Sequence, residues 1–167
     1  MSRDGQIRVV ATGSAWVGRG VGSVVTAIEE LLDAADDEVQ IASYSLGESN
    51  GFVTSLENCL SRGIRVEMIV NKLGDQPTIA YVGLRKLRAR FAHFELFSFN
   101  APKSEDLHAK ILVADRSKAI VGSANPSKRG LFKNHELAVI VSGRAAERIA
   151  ELVDTLARSS YCEKVSS

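Results

Sequence analysis

The sequence predicts a single-domain α/β protein in which a mixed β-sheet is flanked by helices. The chain has 167 residues, of which 45% are hydrophobic and 25% are charged, as in an ordinary globular protein. That length is close to the commonest domain size and is enough for a self-sufficient core. Short β-branched runs alternate with longer stretches of helical periodicity, the pattern of an α/β layer structure. We therefore expect residues 1–167 to form one domain.

The predicted strands are short apolar runs rich in β-branched or aromatic residues. In chain order they are residues 7–11, 39–46, 64–70, 91–97, 107–114, 118–121 and 137–141. Only residues 115–117 separate the fifth run from the sixth, and so short a connection predicts a tight hairpin.

The predicted helices have apolar residues at three- and four-residue spacings. In chain order they run from Val24 to the Asp36–Asp37 pair and over residues 51–62, 77–90 and 145–156. Gly63 is a suitable cap for the second helix, and Pro77 fits the first turn of the third.

The predicted connections are polar or rich in turn-forming residues. A glycine-rich loop covers residues 12–22, a polar loop with Pro102 covers 98–106, and turn formers mixed with basic residues cover 125–133. The clustered bases of the third helix, at residues 85–90, are typical of a solvated helix face. His93 falls within a predicted strand, without a catalytic role.

Charge and cysteine content exclude several classes of protein. The 21 Lys and Arg residues against 20 Asp and Glu leave a net charge of +1, so any nucleic-acid site must be a local patch. Cys59 and Cys162 have no CxxC or Cys/His spacing, so we expect neither a disulfide nor a zinc site. Cys59 fits a helix core, and Cys162 falls near a fraying tail.

No apolar run approaches the ~20 residues of a membrane span, which we interpret as a cytoplasmic protein.

The residues that carry chemistry lie between 107 and 141. Alternate residues of a strand share a face, and three such pairs carry polar side chains: His108 with Lys110, Ser123 with Asn125, and Asn134 with Glu136. On neighbouring strands, these pairs would gather an imidazole, an ammonium, a hydroxyl, amides and a carboxylate around one point.

That set of groups suits a phosphate diester. Lys110 supplies a compact positive charge for the non-bridging oxygens, and Ser123 and Asn125 supply neutral donors. The imidazole of His108 can attack phosphorus to form a phosphohistidine. Glu136 would accept the proton on the far ring nitrogen and orient the ring.

The spacing of these residues also resembles a known family pattern. His108, Lys110 and Asp115 form H-x-K-x4-D, and G-S-x-N follows at 122–125. This arrangement resembles the HKD motif and downstream segment of the phospholipase D superfamily, and the segments IASYSL and RGIRVEMIV look like its N-terminal half. The resemblance implies a phospholipase D-like fold and a metal-independent phosphodiesterase. It makes His108 the nucleophile, with Lys110 and Asn125 holding the phosphate and Glu136 orienting the histidine.

Two further residues are candidates on weaker grounds. Asp115 belongs to the motif, so we count it among the candidate catalytic residues, but alternation places it at the hairpin end and favours a structural turn role. Ser123 is placed in the site with Asn125. A basic group that follows Asn125 is predicted to rim the phosphate pocket as substrate-binding residues: Lys128, Arg129 and Lys133.

Other assignments of these residues fit less well. A metal site built from His108, Asp115 and His135 conflicts with strand alternation and with the positive charge of Lys110, so we expect no metal and no cofactor. The loop at 12–22 lacks a phosphate-loop motif. We interpret it as a loop that could reach over the site, with Trp16 as a lid or base-stacking residue, although plain packing is the commoner role of a lone Trp.

The single motif predicts a homodimer with a shared active site. Most superfamily members carry two HKD copies, and no second H-x-K occurs in this chain. The leaving oxygen still needs an acid, which a two-fold axis would supply by bringing His108 of each subunit to one centre. Small single-motif bacterial nucleases of the superfamily resemble that solution. The sequence names no other protein partner.

The sequence is compatible with three functions. The first is a nuclease that cleaves nucleic-acid phosphodiester bonds, in prokaryotic defence against foreign DNA, because some single-motif members of antiviral gene clusters look similar. The second is a phospholipase D-type lipid hydrolase or phosphatidyl transferase, against which stands the lack of an apolar docking surface readable from the sequence. The third is a non-catalytic nucleic-acid-binding module that retains the pocket.

Overall fold

The computed structural model describes residues 5–16, 18–47, 50–102 and 104–166, which build one mixed eight-stranded sheet flanked by five α-helices. The strands are β1 (Ile7–Thr12), β2 (Glu38–Ser43), β3 (Arg65–Asn71), β4 (Phe94–Phe99), β5 (Lys110–Ala114), β6 (Lys118–Gly122), β7 (Glu136–Ser142) and β8 (Cys162–Lys164). The helices are α1 (Val24–Asp33), α2 (Asn50–Ser61), α3 (Thr78–Arg90), α4 (Lys128–Phe132) and α5 (Arg144–Ala157). The predicted α/β class is confirmed.

The sheet has the strand order β1-β7-β6-β5-β2-β3-β4-β8. Strands β2, β3 and β4 are parallel, with α2 and α3 as the crossovers between them. All other neighbours are antiparallel, including the β5–β6 hairpin. This arrangement brings the start of β5, the end of β6 and the start of β7 to the same edge of the sheet.

Each face of the sheet buries a helical layer. On one face α1, α2 and α3 bury a large apolar cluster that includes Leu56, Met68 and Phe94. On the other face α5 packs across β2, β5, β6 and β7 through small residues such as Ala146 and Ala150. Cys59 is buried in the first cluster, as the helical spacing predicted.

Two elements differ from the sequence prediction. Residues 125–133 were expected to be turns, but α4 forms within them because Ser127 caps it: the Gly130 N–H donates to the Ser127 Oγ at 3.1 Å. The chain around Cys162 was expected to fray, but it forms β8 against β4. No local pattern marks a three-residue edge strand, since its hydrogen bonds go to residues far away in the sequence.

Several strand ends also differ. Strand β2 ends at Ser43 rather than residue 46, because side chains take the backbone N–H groups that follow: Ser45 donates to Asn125 and Leu46 donates to Gln76. Strand β5 begins at Lys110 rather than residue 107. Strand β4 covers 94–99 rather than 91–97, so His93 lies in the preceding turn with its Nε2 2.9 Å from the Leu60 carbonyl.

Candidate functional site

The predicted polar residues meet at the edge of the sheet where β5 and β7 begin and β6 ends. Lys110 pairs with Ser43 at the end of β2, and Glu136 pairs with Thr12 at the end of β1. The Ser123 N–H donates to the Leu137 carbonyl, which holds the exit of β6 against the start of β7. The fold therefore collects side chains from five strand ends at one place.

His108 and Lys110 are in direct contact. The Lys110 Nζ lies 2.9 Å from Nδ1 of His108 and donates to the His108 carbonyl at 2.6 Å. The ring of Tyr44 covers the imidazole at a centroid distance of 4.7 Å. Because an ammonium can only donate, Nδ1 is the acceptor in this contact and a neutral ring carries its proton on Nε2.

Lys110 is a largely buried residue whose charge lies beside polar atoms of His108. It is only 9% exposed, and it lines a small cavity of about 30 Å³ whose other walls are mainly apolar residues of α1, α2 and the central strands. Burial lowers the pKa of the Lys110 ammonium, and the negative charge of Glu136 opposes that shift. A poorly solvated ammonium at the mouth of the site is a strong attractor for a phosphate oxygen.

Glu136 is held by its neighbours rather than by His108. Its carboxylate accepts a hydrogen bond from the Ser123 hydroxyl and another from the Asn134 Nδ2 at 3.1 Å. The Leu137 N–H donates to the Ser123 Oγ at 3.2 Å, which fixes the hydroxyl in turn. No hydrogen bond joins Glu136 to His108 within the described residues, so the expected carboxylate–imidazole pair is not formed in this chain.

Asn125 presents its amide to the same place. Its Oδ1 accepts the backbone N–H of Ser45 at 3.3 Å, and its Nδ2 has no partner in the described part of the chain. Helix α4 packs against the Asn125 backbone so closely that a methyl group on Gly130 would lie 2.4 Å from the Asn125 carbonyl oxygen. This packing fixes the Asn125 backbone, and the side-chain Nδ2 remains available to donate to a bound oxyanion.

The structure does not bring Asp115 to this cluster. It lies at the opposite end of β5, where its carboxylate accepts the backbone N–H groups of Asp36, Asp37 and Glu38 at 2.8–3.1 Å. Burial raises the pKa of the Asp115 carboxyl, but the three N–H donors outweigh burial and hold the pKa below its ordinary value. Asp115 also adopts a positive φ of 50°, so its place is a structural turn and not the site.

The predicted rim residues Lys128, Arg129 and Lys133 lie on or beside α4, immediately after Asn125. All three are exposed, and in the described ranges none of them forms an ion pair with an acidic side chain. Their charges are therefore free to act on an external anion.

Three residues of the site were missed from the sequence. Asn71, which is 5% exposed, accepts the Leu107 N–H at 2.8 Å and so anchors the residue before His108. Gln76 donates to the carbonyls of Tyr44 and Asn71 and so fixes the loop beneath the imidazole. The available signal for Asn71 was a polar residue that closes a buried strand. Gln76 lies beyond that strand and gave no such signal, and Tyr44 gave none because a tyrosine after a strand is equally a packing residue.

The residues of the alternative metal site, His108, Asp115 and His135, lie apart from one another. His135 accepts the Ala15 N–H on its Nε2 at 3.2 Å and packs against Trp16, while Asp115 is bound to the turn after α1. Across residues 5–16, 18–47, 50–102 and 104–166, no three His, Cys, Asp or Glu side chains are grouped as metal ligands.

Residues 28–158, which are most of the chain, match the family model described as "Cardiolipin synthase, PLD-like domain". The chain belongs to the phospholipase D superfamily. The superfamily fold is also that of Nuc from Salmonella typhimurium, a phospholipase D family member, on which this structure superposes with a TM-score of 0.77 at 17% identity, covering 98% of this chain and all of Nuc. The phospholipase D-like fold implied by the motif is confirmed.

Two curated relatives extend the comparison to sequence. The DISARM protein DrmC of Bacillus paralicheniformis is 25% identical over 162 residues, which is 95% of this chain and 66% of DrmC. Cardiolipin synthase A of Pseudomonas aeruginosa is 27% identical over 137 residues, 81% of this chain and 27% of the synthase. The chain thus spans about two thirds of one relative and about a quarter of the other. No helix in the described ranges is both long and apolar enough to cross a bilayer.

Proposed function

We propose that this superfamily member is a nuclease that cleaves nucleic-acid phosphodiester bonds through a phosphohistidine and without a metal ion. The observation that carries the proposal is the contact between His108 and the buried Lys110. Asn125 lies at the same edge of the sheet, held through its Oδ1, with an Nδ2 that has no partner among the described residues. The matched family supports phosphodiester chemistry, and these three groups supply a nucleophile and two donors for phosphate oxygens.

The reaction runs in two displacements. The Lys110 ammonium and the Asn125 Nδ2 bind the non-bridging oxygens. A nitrogen of His108 then forms a bond to phosphorus as the bond to the leaving oxygen breaks, and an acid protonates that oxygen. Water next attacks the phosphohistidine, giving up a proton to the same acid–base group and releasing the imidazole.

Substrate binding also alters the hydrogen bond of the imidazole. In the free protein the Lys110 ammonium occupies Nδ1 of His108. A phosphate oxygen is a stronger, charged acceptor for that ammonium. We expect the arriving diester to draw Lys110 away from the ring and free the imidazole for attack.

The acid is the part of the site that one chain lacks. The sequence contains three histidines, and the other two are engaged elsewhere: His135 with the Ala15 N–H and His93 with the Leu60 carbonyl. We propose that His108 of a second subunit supplies the acid in a homodimer with a shared site.

Nucleic acid is the substrate that the surroundings of the site favour. Lys128, Arg129 and Lys133 add unpaired positive charge beside Asn125, which suits a repeating phosphate backbone. The similarity to single-motif proteins of antiviral gene clusters makes foreign DNA the proposed target. Phosphatidyl transfer is the second candidate, and the match to a cardiolipin synthase model favours it.

The test is hydrolysis by the purified protein in EDTA. The substrates are labelled single-stranded and duplex oligonucleotides, bis(4-nitrophenyl) phosphate, and vesicles of phosphatidylcholine and phosphatidylglycerol. We expect oligonucleotide cleavage that His108→Ala abolishes and His93→Ala, the matched control, leaves intact. Activity that needs added magnesium would overturn the mechanism, and turnover of the vesicles alone would establish the lipid function instead.

A further inference from the structure

A cleft of about 410 Å³ lies between helix α4 on one side and residues 11–16 and 18–25 on the other. Its walls carry the rings of Trp16 and Phe132 and the aliphatic side chains of Val21, Val25 and Leu131. Phe132 is 63% exposed and Val21 is 40% exposed. A ligand or partner that entered the cleft would bury this exposed apolar area.

The cleft adjoins the candidate catalytic site. Thr12, which lines it, is the ladder partner of Glu136, and such cross-strand partners have Cβ atoms only about 4.5–5.5 Å apart. A ligand that extends from a phosphate beside Glu136 therefore reaches the cleft within the length of one nucleotide.

Both walls are fixed to the chain next to site residues, at His135 before Glu136 and at Asn125 itself. On one side Gly13, with a φ of 128°, packs so tightly on His135 that a methyl group there would lie 2.6 Å from the ring, and His135 also accepts the Ala15 N–H. On the other side Gly130 of α4 packs on the Asn125 backbone. The distance from the phosphate-binding groups to the aromatic walls is thus set by backbone packing.

The charges around the cleft identify the kind of ligand. Residues 12–23 and 124–135 contain no Asp or Glu, and they carry four cationic side chains: Arg19, Lys128, Arg129 and Lys133. The nearest carboxylate of the site, Glu136, is engaged by Ser123 and Asn134. Aromatic side chains close to cations are the arrangement that binds unpaired bases and their phosphates.

We propose that this cleft is a base-stacking subsite for single-stranded nucleic acid, with Phe132 as the platform and Trp16 as the side wall. The inference rests on the proposed function and narrows its substrate class, because a base can enter the cleft only when it is not stacked within a duplex. A base seated there would place its own phosphate at Lys110 and Asn125.

The experiment uses Trp16, the single tryptophan of the chain, as the reporter. His108→Ala protein, which cannot turn over, is titrated with oligothymidylate, with an abasic oligomer of the same length, with duplex DNA and with phosphatidylglycerol vesicles. We expect oligothymidylate to quench the Trp16 fluorescence with saturation, and the abasic oligomer to bind by charge without quenching.

Variants of Phe132 separate stacking from plain apolar contact. Phe132→Ala is expected to weaken oligothymidylate binding about tenfold. Phe132→Tyr should restore the affinity, and Phe132→Leu should not. Tyr81→Ala removes another exposed aromatic side chain, on α3, and is the matched control that leaves binding unchanged.

Four results would overturn the subsite: equal quenching by the abasic oligomer, unchanged affinity in Phe132→Ala, quenching by vesicles but not by oligothymidylate, or loss of dimers in Phe132→Ala by light scattering. The last would make Phe132 a subunit contact. The proposed function fails separately, if wild type hydrolyses neither oligonucleotides nor bis(4-nitrophenyl) phosphate while the fluorescence titration still shows base-dependent binding.

Discussion

At the scale of single residues, Lys110 shows a conflict between stability and chemistry. Its ammonium is buried beside Tyr44 and above an apolar cavity, where burial lowers its pKa. A charge in that position costs free energy in the fold and is valuable only when a phosphate arrives. The residue is therefore placed for binding an anion rather than for holding the sheet together.

We predict that Lys110→Met abolishes hydrolysis while the fold becomes no less stable. Met has a similar volume and fills the apolar surroundings, so the free energy of unfolding should stay equal or rise by about 1 kcal/mol. Turnover should fall at least about a hundredfold because the phosphate loses its charged donor. Urea unfolding and oligonucleotide cleavage measure the two effects, with Lys118→Met at the exposed far end of β6 as control. A marked loss of stability in Lys110→Met would contradict this assignment.

At the scale of elements, two polar side chains fix connecting segments that the hydrogen bonds of the sheet do not hold. The Asp115 carboxylate ties the β5–β6 turn to the connection between α1 and β2 through three N–H groups. Asn71, at the end of β3, anchors the segment that enters β5 through the Leu107 N–H. In each case a polar side chain replaces the missing ladder partner of a backbone group.

For Asp115 we predict a pH-dependent loss of stability on replacement by asparagine, which tolerates the positive φ. At pH 7, Asp115→Asn should unfold with about 1–2 kcal/mol less free energy because a charged acceptor is lost. The folded pKa of Asp115 is depressed, so its stabilising contribution is present above the unfolded pKa and disappears as pH falls through the folded pKa. The two proteins should therefore converge in acid. Asp36→Asn, an exposed neighbouring carboxylate, is the control, and a constant difference from neutral pH to strong acid would refute the charge-based role.

For Asn71 we predict a fall in kcat with little change in KM. Asn71→Ala frees the Leu107 N–H, so the approach of His108 loses its fixed geometry while Lys110 and Asn125 still bind the phosphate. A displaced nucleophile commonly costs a factor of about ten to a hundred. The test is to measure kcat and KM by steady-state kinetics below the unfolding temperature of the variant. Asn58→Ala, on the exposed side of α2, is the control. An increase in KM at unchanged kcat would assign Asn71 to binding instead.

At the scale of the whole molecule, His108 is the one histidine at the candidate site within the described residues, since His93 and His135 are hydrogen-bonded elsewhere. A two-fold axis through this edge of the sheet would pair two His108 side chains at one scissile phosphate.

We predict that wild-type activity falls as the square of the wild-type fraction when His108→Ala subunits are mixed in under free exchange. A mixed dimer keeps only one of the two imidazoles. If that imidazole acts as the nucleophile, the acid is missing, and if it acts as the acid, the nucleophile is missing, so the mixed dimer should be nearly inactive. The measurement is the cleavage rate as a function of the wild-type fraction in a series of mixtures. Subunit exchange is checked by light scattering or with labelled subunits. A linear fall would show that each subunit works alone.

The sequence by itself determined the α/β class, because strand and helix periodicities are local properties of the chain. It also predicted the candidate residues His108, Lys110, Ser123, Asn125 and Glu136 from their close spacing around three strands. Only Lys110 and Glu136 lie within strands, and the antiparallel order β7-β6-β5 brings those strand ends together. The places of the others depend on how the chain enters β5 and leaves β6, which strand alternation does not determine.

Only the tertiary structure decided which partners those residues have. The Glu136 carboxylate is hydrogen-bonded to Ser123 and Asn134 rather than to His108. The Asp115 carboxylate binds the chain after α1, and the predicted tail forms β8. It also brought Asn71 to Leu107 and Trp16 to the same cleft as Phe132. These contacts join residues far apart in sequence, and hydrogen bonds between such residues depend on distances that no local periodicity encodes.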